Sequence, residues 1–168
     1  MPSSRIETVP SVINLVIGMN PEYILDVGSG FGKFGFLLRE YLECWQGRLF
    51  PGDWTKRIDA VEIFARYAEL PWYEDLYDHV FVMNVLDMNE VIPAYDLVLL
   101  CDVIEHLPRD SGRKVLDISS KYIVTTPNYD STQGTCFGNP AEAHISRWGR
   151  EDFANSKVVD GIIVGWKT

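Results

Sequence analysis

The chain is short of cysteine, histidine and positive charge, and it has no long hydrophobic run. Its three cysteines, Cys44, Cys101 and Cys136, are odd in number and show no C-x-x-C spacing. That excludes a disulfide framework and a cysteine-based zinc site, so no metal is expected, and reduced thiols fit a cytoplasmic protein. Fifteen basic residues against 24 acidic ones give a net charge of −9. An acidic surface repels phosphate backbones, so nucleic acid is not favoured as a partner, a local basic patch being the exception. No apolar run approaches the ~20 residues of a membrane helix, so no membrane association is expected. The start, Met1-Pro2-Ser3-Ser4-Arg5, lacks the basic-then-apolar layout of a signal peptide. No internal repeat, low-complexity tract or second domain appears, and the 168 residues read as one domain with its own core.

What the chain does contain is strands alternating with helical segments. Pro10 to Met19 carries Val12, Ile13, Val16 and Ile17 at helical spacing, giving an N-terminal helix within residues 1–20. Tyr23–Val27 reads as the first strand. Phe34, Leu37, Leu38, Tyr41 and Leu42 then mark one face of a helix packed on a sheet. Gln46 to Lys56 reads as a loop. Further strands are expected at Arg57–Val61, His79–Met83, Asp96–Leu100 and Tyr122–Thr125, with a helix over Ser111–Ser120. Lys157 to Val164 is two β runs around Asp160-Gly161, a hairpin signal. The pattern predicts an α/β fold: a mostly parallel twisted sheet, helices on both faces, and a C-terminal antiparallel pair.

The most informative stretch is Tyr23-Ile24-Leu25-Asp26-Val27-Gly28-Ser29-Gly30-Phe31-Gly32. An apolar strand ends in an acid, and three glycines follow at alternate positions before a helix. Glycine allows a tight turn with positive φ and lets a ligand approach the backbone. Amides at the helix start are left facing whatever binds there. Lys33, next in line, reads as a solvent-facing helix residue.

Asp26-x-Gly28-x-Gly30-x-Gly32 resembles the signature loop of class I S-adenosylmethionine-dependent methyltransferases, and the likeness runs on over roughly residues 20 to 166. Glu62 ends the second strand, where that family places an acid on the ribose; alone it would read as a solvated strand end. Asp87, in Asn84-Val85-Leu86-Asp87-Met88, falls where the family accepts from the adenine amino group, although an aspartate there also caps a turn. Tyr95 to Leu107 resembles the fourth strand with its Glu-His-Leu continuation, and Lys121 to Asn128 the fifth. The resemblance implies a Rossmann-like methyltransferase fold with S-adenosylmethionine as cofactor. It implies cofactor contacts from Asp26, Gly28, Ser29, Gly30, Phe31, Gly32, Glu62, Ile63, Asp87, Met88 and Cys101. Phe31 also reads as a packing aromatic.

Candidate catalytic groups are Asp102, Glu105 and His106 after the fourth strand and Asn128 or His144 after the fifth, with Asp102, His106 and His144 put first. All lie at the carboxyl edge of the sheet where open α/β folds bind ligands. A lone histidine is as readily structural, Glu105 can cap its turn, and Asp102 can face the cationic end of the cofactor. Residues 128–148 resemble an active-site loop of some bacterial and archaeal members, Gly-Asn-Pro-x-Glu-x-His-x-Ser-x-Trp. Such a loop is a lid over the acceptor or a scaffold pinned by Trp148. The absence of an Asn-Pro-Pro-Tyr type motif counts against amino-group methylation of adenine or glutamine. The expected reaction is methyl transfer to a small-molecule acceptor, with a homodimer or partner subunit able to complete the pocket. The alternatives are a cofactor-binding module without catalysis and an NAD(P)-dependent oxidoreductase. The second matches Gly30-Phe31-Gly32-Lys33-Phe34-Gly35, but that match starts late, and Glu62 lies 32 residues beyond Gly30 rather than about 20. A P-loop fails for want of the preceding glycine and of a Ser/Thr after Lys33.

Overall fold

A computed structural model describes residues 3–88 and 94–168. Met1 and Pro2, part of the expected N-terminal segment, lie outside the described residues. In chain order the structure runs α1 (Val9–Met19), β1 (Tyr23–Val27), α2 (Lys33–Leu42), β2 (Arg57–Glu62), α3 (Ala65–Ala68), α4 (Tyr73–Leu76) and β3 (His79–Val82). It continues with β4 (Leu97–Cys101), α5 (Arg109–Leu116), β5 (Tyr122–Pro127), β6 (Asn155–Val159) and β7 (Ile162–Lys167). The strands form one seven-stranded sheet in the order β3-β2-β1-β4-β5-β7-β6. All pairs from β3 to β5 are parallel, and β7 runs antiparallel to both β5 and β6. Parallel strands covered on both faces need near-continuous apolar runs, and Leu97–Cys101 is buried at every position.

Alternate side chains of the same strands feed two separate cores. Ile24, Leu97 and Leu99 pack with Val12, Val16 and Leu38 of α1 and α2. Leu25, Val98 and Leu100 pack on the other face with Val115 and Leu116 of α5, together with Ile104, Trp148 and Phe153. That second face is thus covered by α5 and by loop residues. The helix expected over Ser111–Ser120 is displaced to Arg109–Leu116. Pro108, with φ −55° and ψ 144°, is the extended residue immediately before the helix starts. At the other end Ser119 Oγ accepts from the Lys121 amide at 3.2 Å, so its side chain serves the turn rather than the helix.

Two details hold the frame around the site. Arg39, 3% exposed, donates to the carbonyls of Leu76 (2.9 Å) and Lys56 (2.8 Å) and to Asp78 (2.8 Å), fastening α2 to the edge of β2 and β3. Asp160 (φ 48°) and Gly161 (φ 76°) take the paired left-handed conformations of the two-residue hairpin turn between β6 and β7. All three cysteines are free, and no described helix is long and apolar enough to cross a membrane.

Candidate active site

Strand order reverses between β1 and β4, because the chain leaves β1 toward β2 and later returns to its other side. Loops diverge at such a point and leave a crevice at the carboxyl ends of the strands. A cavity of about 340 Å³ lies there, within the ~300–1,000 Å³ typical of small-ligand pockets. Gly28, Gly30 and Gly32 all adopt positive φ (63°, 57° and 79°). The Gly28 amide donates to Val61 carbonyl at 2.8 Å, so the turn is locked to β2. A Cβ on Gly28 would stand 2.6 Å from Val103 Cγ2, leaving no room for any other residue.

Acidic groups ring this cavity: Asp26, Glu62, Asp102 and Glu142 line it, against Lys33 as the sole lysine or arginine among the described residues of its wall. Asp26 is 2% exposed and accepts from Tyr77 Oη at 2.7 Å. Burial pushes its carboxyl up to about 7, with the Tyr77 hydroxyl pulling it back and Glu62 adding to the rise. Glu62 accepts the Gly30 amide on Oε2 (3.0 Å) and the Phe64 amide on Oε1 (2.9 Å), tying the glycine turn to the end of β2. Burial raises its carboxyl as well, these two amides lower it, and Glu142 raises it again. Asp102 sits in left-handed backbone (φ 57°) and accepts from Thr125 Oγ1 at 2.8 Å. A non-glycine residue held there marks strain of the kind that collects at functional sites.

Of the residues named from sequence, Asp26, Gly28, Ser29, Gly30, Glu62 and Ile63 line this cavity, and so do Cys101, Asp102 and His106. Others do not. Phe31 and Gly32 face a separate apolar hollow with Phe36 and Trp72. The turn ties Gly32 back to Ser29 carbonyl (2.9 Å) and Phe31 carbonyl to Trp72 Nε1 (3.0 Å), which carries both residues to the outer side. Asp87 is exposed, and neither it nor Met88 lines the cavity. Asn84 caps the short turn Val85–Asp87 by accepting from the Leu86 amide at 3.0 Å, and Asn84 and Leu86 face the cavity in their place.

Other lining residues are not named as cofactor contacts from the sequence. Ser4 lines the cavity and donates from Oγ to Cys101 carbonyl at 3.2 Å. Lys33, expected in solvent, lines it too and donates from Nζ to the Ser4 carbonyl, folding the N-terminal segment over the site. Tyr67 donates to Glu142 Oε1 at 3.3 Å, and Asn139, Ala141 and Glu142 bring the 128–148 loop into the cavity wall. The loop therefore borders the cavity of the glycine turn as well as the region beyond it.

That same loop is anchored to β4's exit. Trp148, 2% exposed, donates from Nε1 to Ile104 carbonyl at 3.1 Å, and the amides of Ile145 and Ser146 donate to Glu105 carbonyl at 2.9 and 3.0 Å. His144 faces not the first cavity but a second one of about 220 Å³, lined with Glu105, Thr126, Ser131 and Arg147. His106 and His144 nevertheless meet, their ring centroids 4.9 Å apart. The sequence shows no metal-ligand spacing, yet among the described residues Glu105, His106 and His144 each place a potential ligand atom within 4.8 Å of the others. Glu105 is 3% exposed; burial, then repulsion from Asp102, lifts its carboxyl to about 8. Burial also lowers His106.

No protein-family model matches this sequence, and no curated protein does. Solved structures match it in shape. The PH0226 protein of Pyrococcus horikoshii OT3 is 16% identical with a TM-score of 0.62, over 98% of this chain and 89% of its own. The magnesium protoporphyrin IX methyltransferase of Synechocystis PCC 6803, solved with bound S-adenosylmethionine, is 12% identical with a TM-score of 0.59, over 96% and 78%. The 16S rRNA methylase RmtB is 14% identical with a TM-score of 0.59 over 98% of this chain, which spans only 64% of RmtB. Likeness at such identity establishes the fold, and it is the one the Asp26–Gly32 signature implies.

Proposed function

We propose that this chain, which has the fold of the class I S-adenosylmethionine-dependent methyltransferases, binds that cofactor in the first cavity and transfers its methyl group to a small-molecule acceptor. One observation carries the reading: a glycine turn at the β1/β4 switch point opens into a cavity with four carboxylates and one lysine. S-Adenosylmethionine carries positive charge at its sulfonium and its amine, which such a field attracts. A dinucleotide would bring its pyrophosphate into the same carboxylates, which disfavours the NAD(P) alternative. When bound, the cofactor supplies an electrophilic methyl group for in-line displacement.

The chain's own contribution is positioning. Gly28 and Gly30 allow close approach of the ligand to the backbone, and Glu62, each oxygen already holding one amide, keeps lone pairs for ribose hydroxyls. Holding donor and acceptor in line is worth up to ~7–11 kcal/mol in favourable cases. The second cavity, about 220 Å³ and bordered by Glu105, Thr126, His144 and Arg147, is the proposed place for the acceptor's reacting group, with His106 in the wall of the first cavity and His144 in that of the second. Asp102, His106 and His144 are the proposed groups nearest the reacting atoms.

S-Adenosylhomocysteine is expected to raise the melting temperature while NAD leaves it unchanged, since only a ligand of the folded state stabilises it. Label from the cofactor's methyl group should appear in a component of a metabolite extract. Stabilisation by NAD alone would overturn the cofactor assignment, and binding without any label transfer would favour the non-catalytic module. Removing the Glu62 carboxylate strands ribose hydroxyls and frees the Gly30 amide, costing roughly 1–3 kcal/mol. Glu62→Ala should therefore weaken S-adenosylhomocysteine by about tenfold or more in calorimetry; unchanged affinity would remove the ribose role.

A pH dependence follows from Asp26. Its carboxyl stands near 7 in the folded protein against 3.8 as the ordinary value. The stabilisation from this protonated group is complete below about pH 4 and is lost as pH rises through about 7. A cationic ligand favours the ionised form, so cofactor binding should release a proton and strengthen as pH rises from 6 toward 8. Calorimetry at pH 6.5 in buffers of different ionisation enthalpy measures that release, and Asp26→Asn should abolish it. Equal heats in all buffers for the unmodified protein would refute the coupling.

A further inference from the structure

We infer that Glu105, His106 and His144 form a binding site for one divalent transition-metal cation, set in the partition between the two cavities. The three ligand atoms converge within 4.8 Å although His144 lies far along the chain from the other two. Glu105 is 3% exposed; its carboxyl has a hydrogen bond with Thr126, but its Oε2 is buried with no hydrogen-bond partner among the described residues. An unpartnered polar oxygen in the interior is costly unless something occupies the position.

The imidazoles supply the second, independent observation. His106 Nδ1 lies 3.1 Å from Ala143 carbonyl, and His144 Nδ1 lies 3.0 Å from Ser131 carbonyl. A carbonyl only accepts, so each Nδ1 carries the proton and donates it. That leaves Nε2 as the nitrogen each ring can turn to a ligand. This is how metal-bound histidines are commonly held: one ring nitrogen anchored to a backbone carbonyl, the other left for the ion. Both anchors come from the 128–148 loop, whose amides at 145 and 146 also grip the Glu105 carbonyl. The loop thereby fixes two imidazoles and one carboxylate with respect to each other.

Two imidazoles and a carboxylate suit zinc, iron(II), cobalt or manganese better than magnesium or calcium, which prefer all-oxygen shells. Three protein ligands leave coordination positions open, as catalytic sites do. His106 lines the first cavity, whereas Glu105 and His144 line the second, so the ion would border both. An ion there would bind an oxygen of the acceptor and lower its pKa; this role rests on the methyltransferase reading, but the site itself does not. With the ion in place, the two histidines serve as ligands rather than as general bases.

The test uses the metal alone, without cofactor. Metal-stripped protein titrated with zinc chloride in a calorimeter should bind one equivalent. Glu105→Gln, nearly isosteric, and His144→Ala, at a half-buried position, should each weaken binding by at least about 100-fold. That exceeds the ~10–100-fold cost of losing an outer-shell partner. His79→Ala, on the far edge strand, should bind as the unmodified protein does. Cobalt(II) in the same site should give a visible spectrum without thiolate charge-transfer bands. Absence of saturable binding, binding that survives either substitution in a folded variant, or a thiolate spectrum pointing to Cys101 would each overturn the assignment. Melting with S-adenosylhomocysteine tests the cofactor reading separately, so the two can fail independently.

Discussion

Replacing Gly30 with valine is expected to abolish S-adenosylhomocysteine binding in a protein that still folds. Gly30 holds φ at 57°, a conformation that costs an ordinary L-residue ~1–2 kcal/mol and a β-branched one more. Both of its backbone groups are committed, the amide to Glu62 Oε2 at 3.0 Å and the carbonyl to the Tyr73 hydroxyl. The turn therefore cannot relax without releasing the acid at the end of β2. A side chain there adds bulk at the rim of the cavity, where the ligand must approach the main chain. The combined loss should exceed about 100-fold in affinity, close to 3 kcal/mol. Gly47 provides the control: its φ is 83°, and a Cβ there would have nothing within 4 Å. Gly47→Val should cost comparable strain yet leave binding unchanged. Normal affinity in a folded Gly30→Val variant would reduce the glycine loop to a simple turn.

Truncating Trp148 to alanine should produce the largest loss of stability, roughly 3–5 kcal/mol by the usual cost of emptying a large buried aromatic site. The ring is 2% exposed and lies in the core on the α5 side of the sheet. Gly112 of α5 packs so tightly beneath it that a Cβ there would meet Trp148 Cζ2 at 2.6 Å. Arg109 covers the ring at 4.7 Å, and Nε1 donates to Ile104 carbonyl and to Ser146 Oγ. Urea denaturation followed by circular dichroism measures the effect, and Trp148→Phe should recover much of it by restoring the packing without the donor. Because the anchor lies four residues from His144, the alanine variant should also loosen the second cavity. A change below about 1 kcal/mol would mean that the loop is held by its backbone bonds to Glu105 rather than by this side chain.

Much of the fold is legible in the sequence because its signals are local. The span Tyr23–Val27 is fixed by an apolar run bounded by Pro21 and Gly28. The hairpin is fixed by Asp160-Gly161, whose two residues tolerate the positive φ that the turn demands. The boundary of α5 is less legible: Ser119 reads as helical from spacing, but its hydroxyl serves the turn before β5. Around the cavity, Asp26, Gly28, Gly30 and Glu62 are readable because each ends a strand or lies in the turn before a helix, whereas Gly32 of the same signature faces the outer hollow. Asp87 shows the limit of that reasoning. Its neighbour Asn84 takes the capping role and leaves the aspartate exposed.

The sequence alone determined the glycine turn at the end of β1, the succession of strands with α1, α2 and α5 among them (α3 and α4 are not read from it), and the acidic balance. Each depends on residues near one another in the chain or on composition. Only the tertiary structure decided which side chains share a cavity. Lys33 turns from solvent to the Ser4 carbonyl because the N-terminal segment crosses the site. Glu142 reaches Tyr67, and His144 reaches His106, because the loop after β5 folds back across the ends of β1 and β4. Such contacts join residues dozens of positions apart, and those of the loop accompany the burial of Trp148 and the backbone bonds of residues 145 and 146 to Glu105. No spacing rule in the sequence encodes that closure.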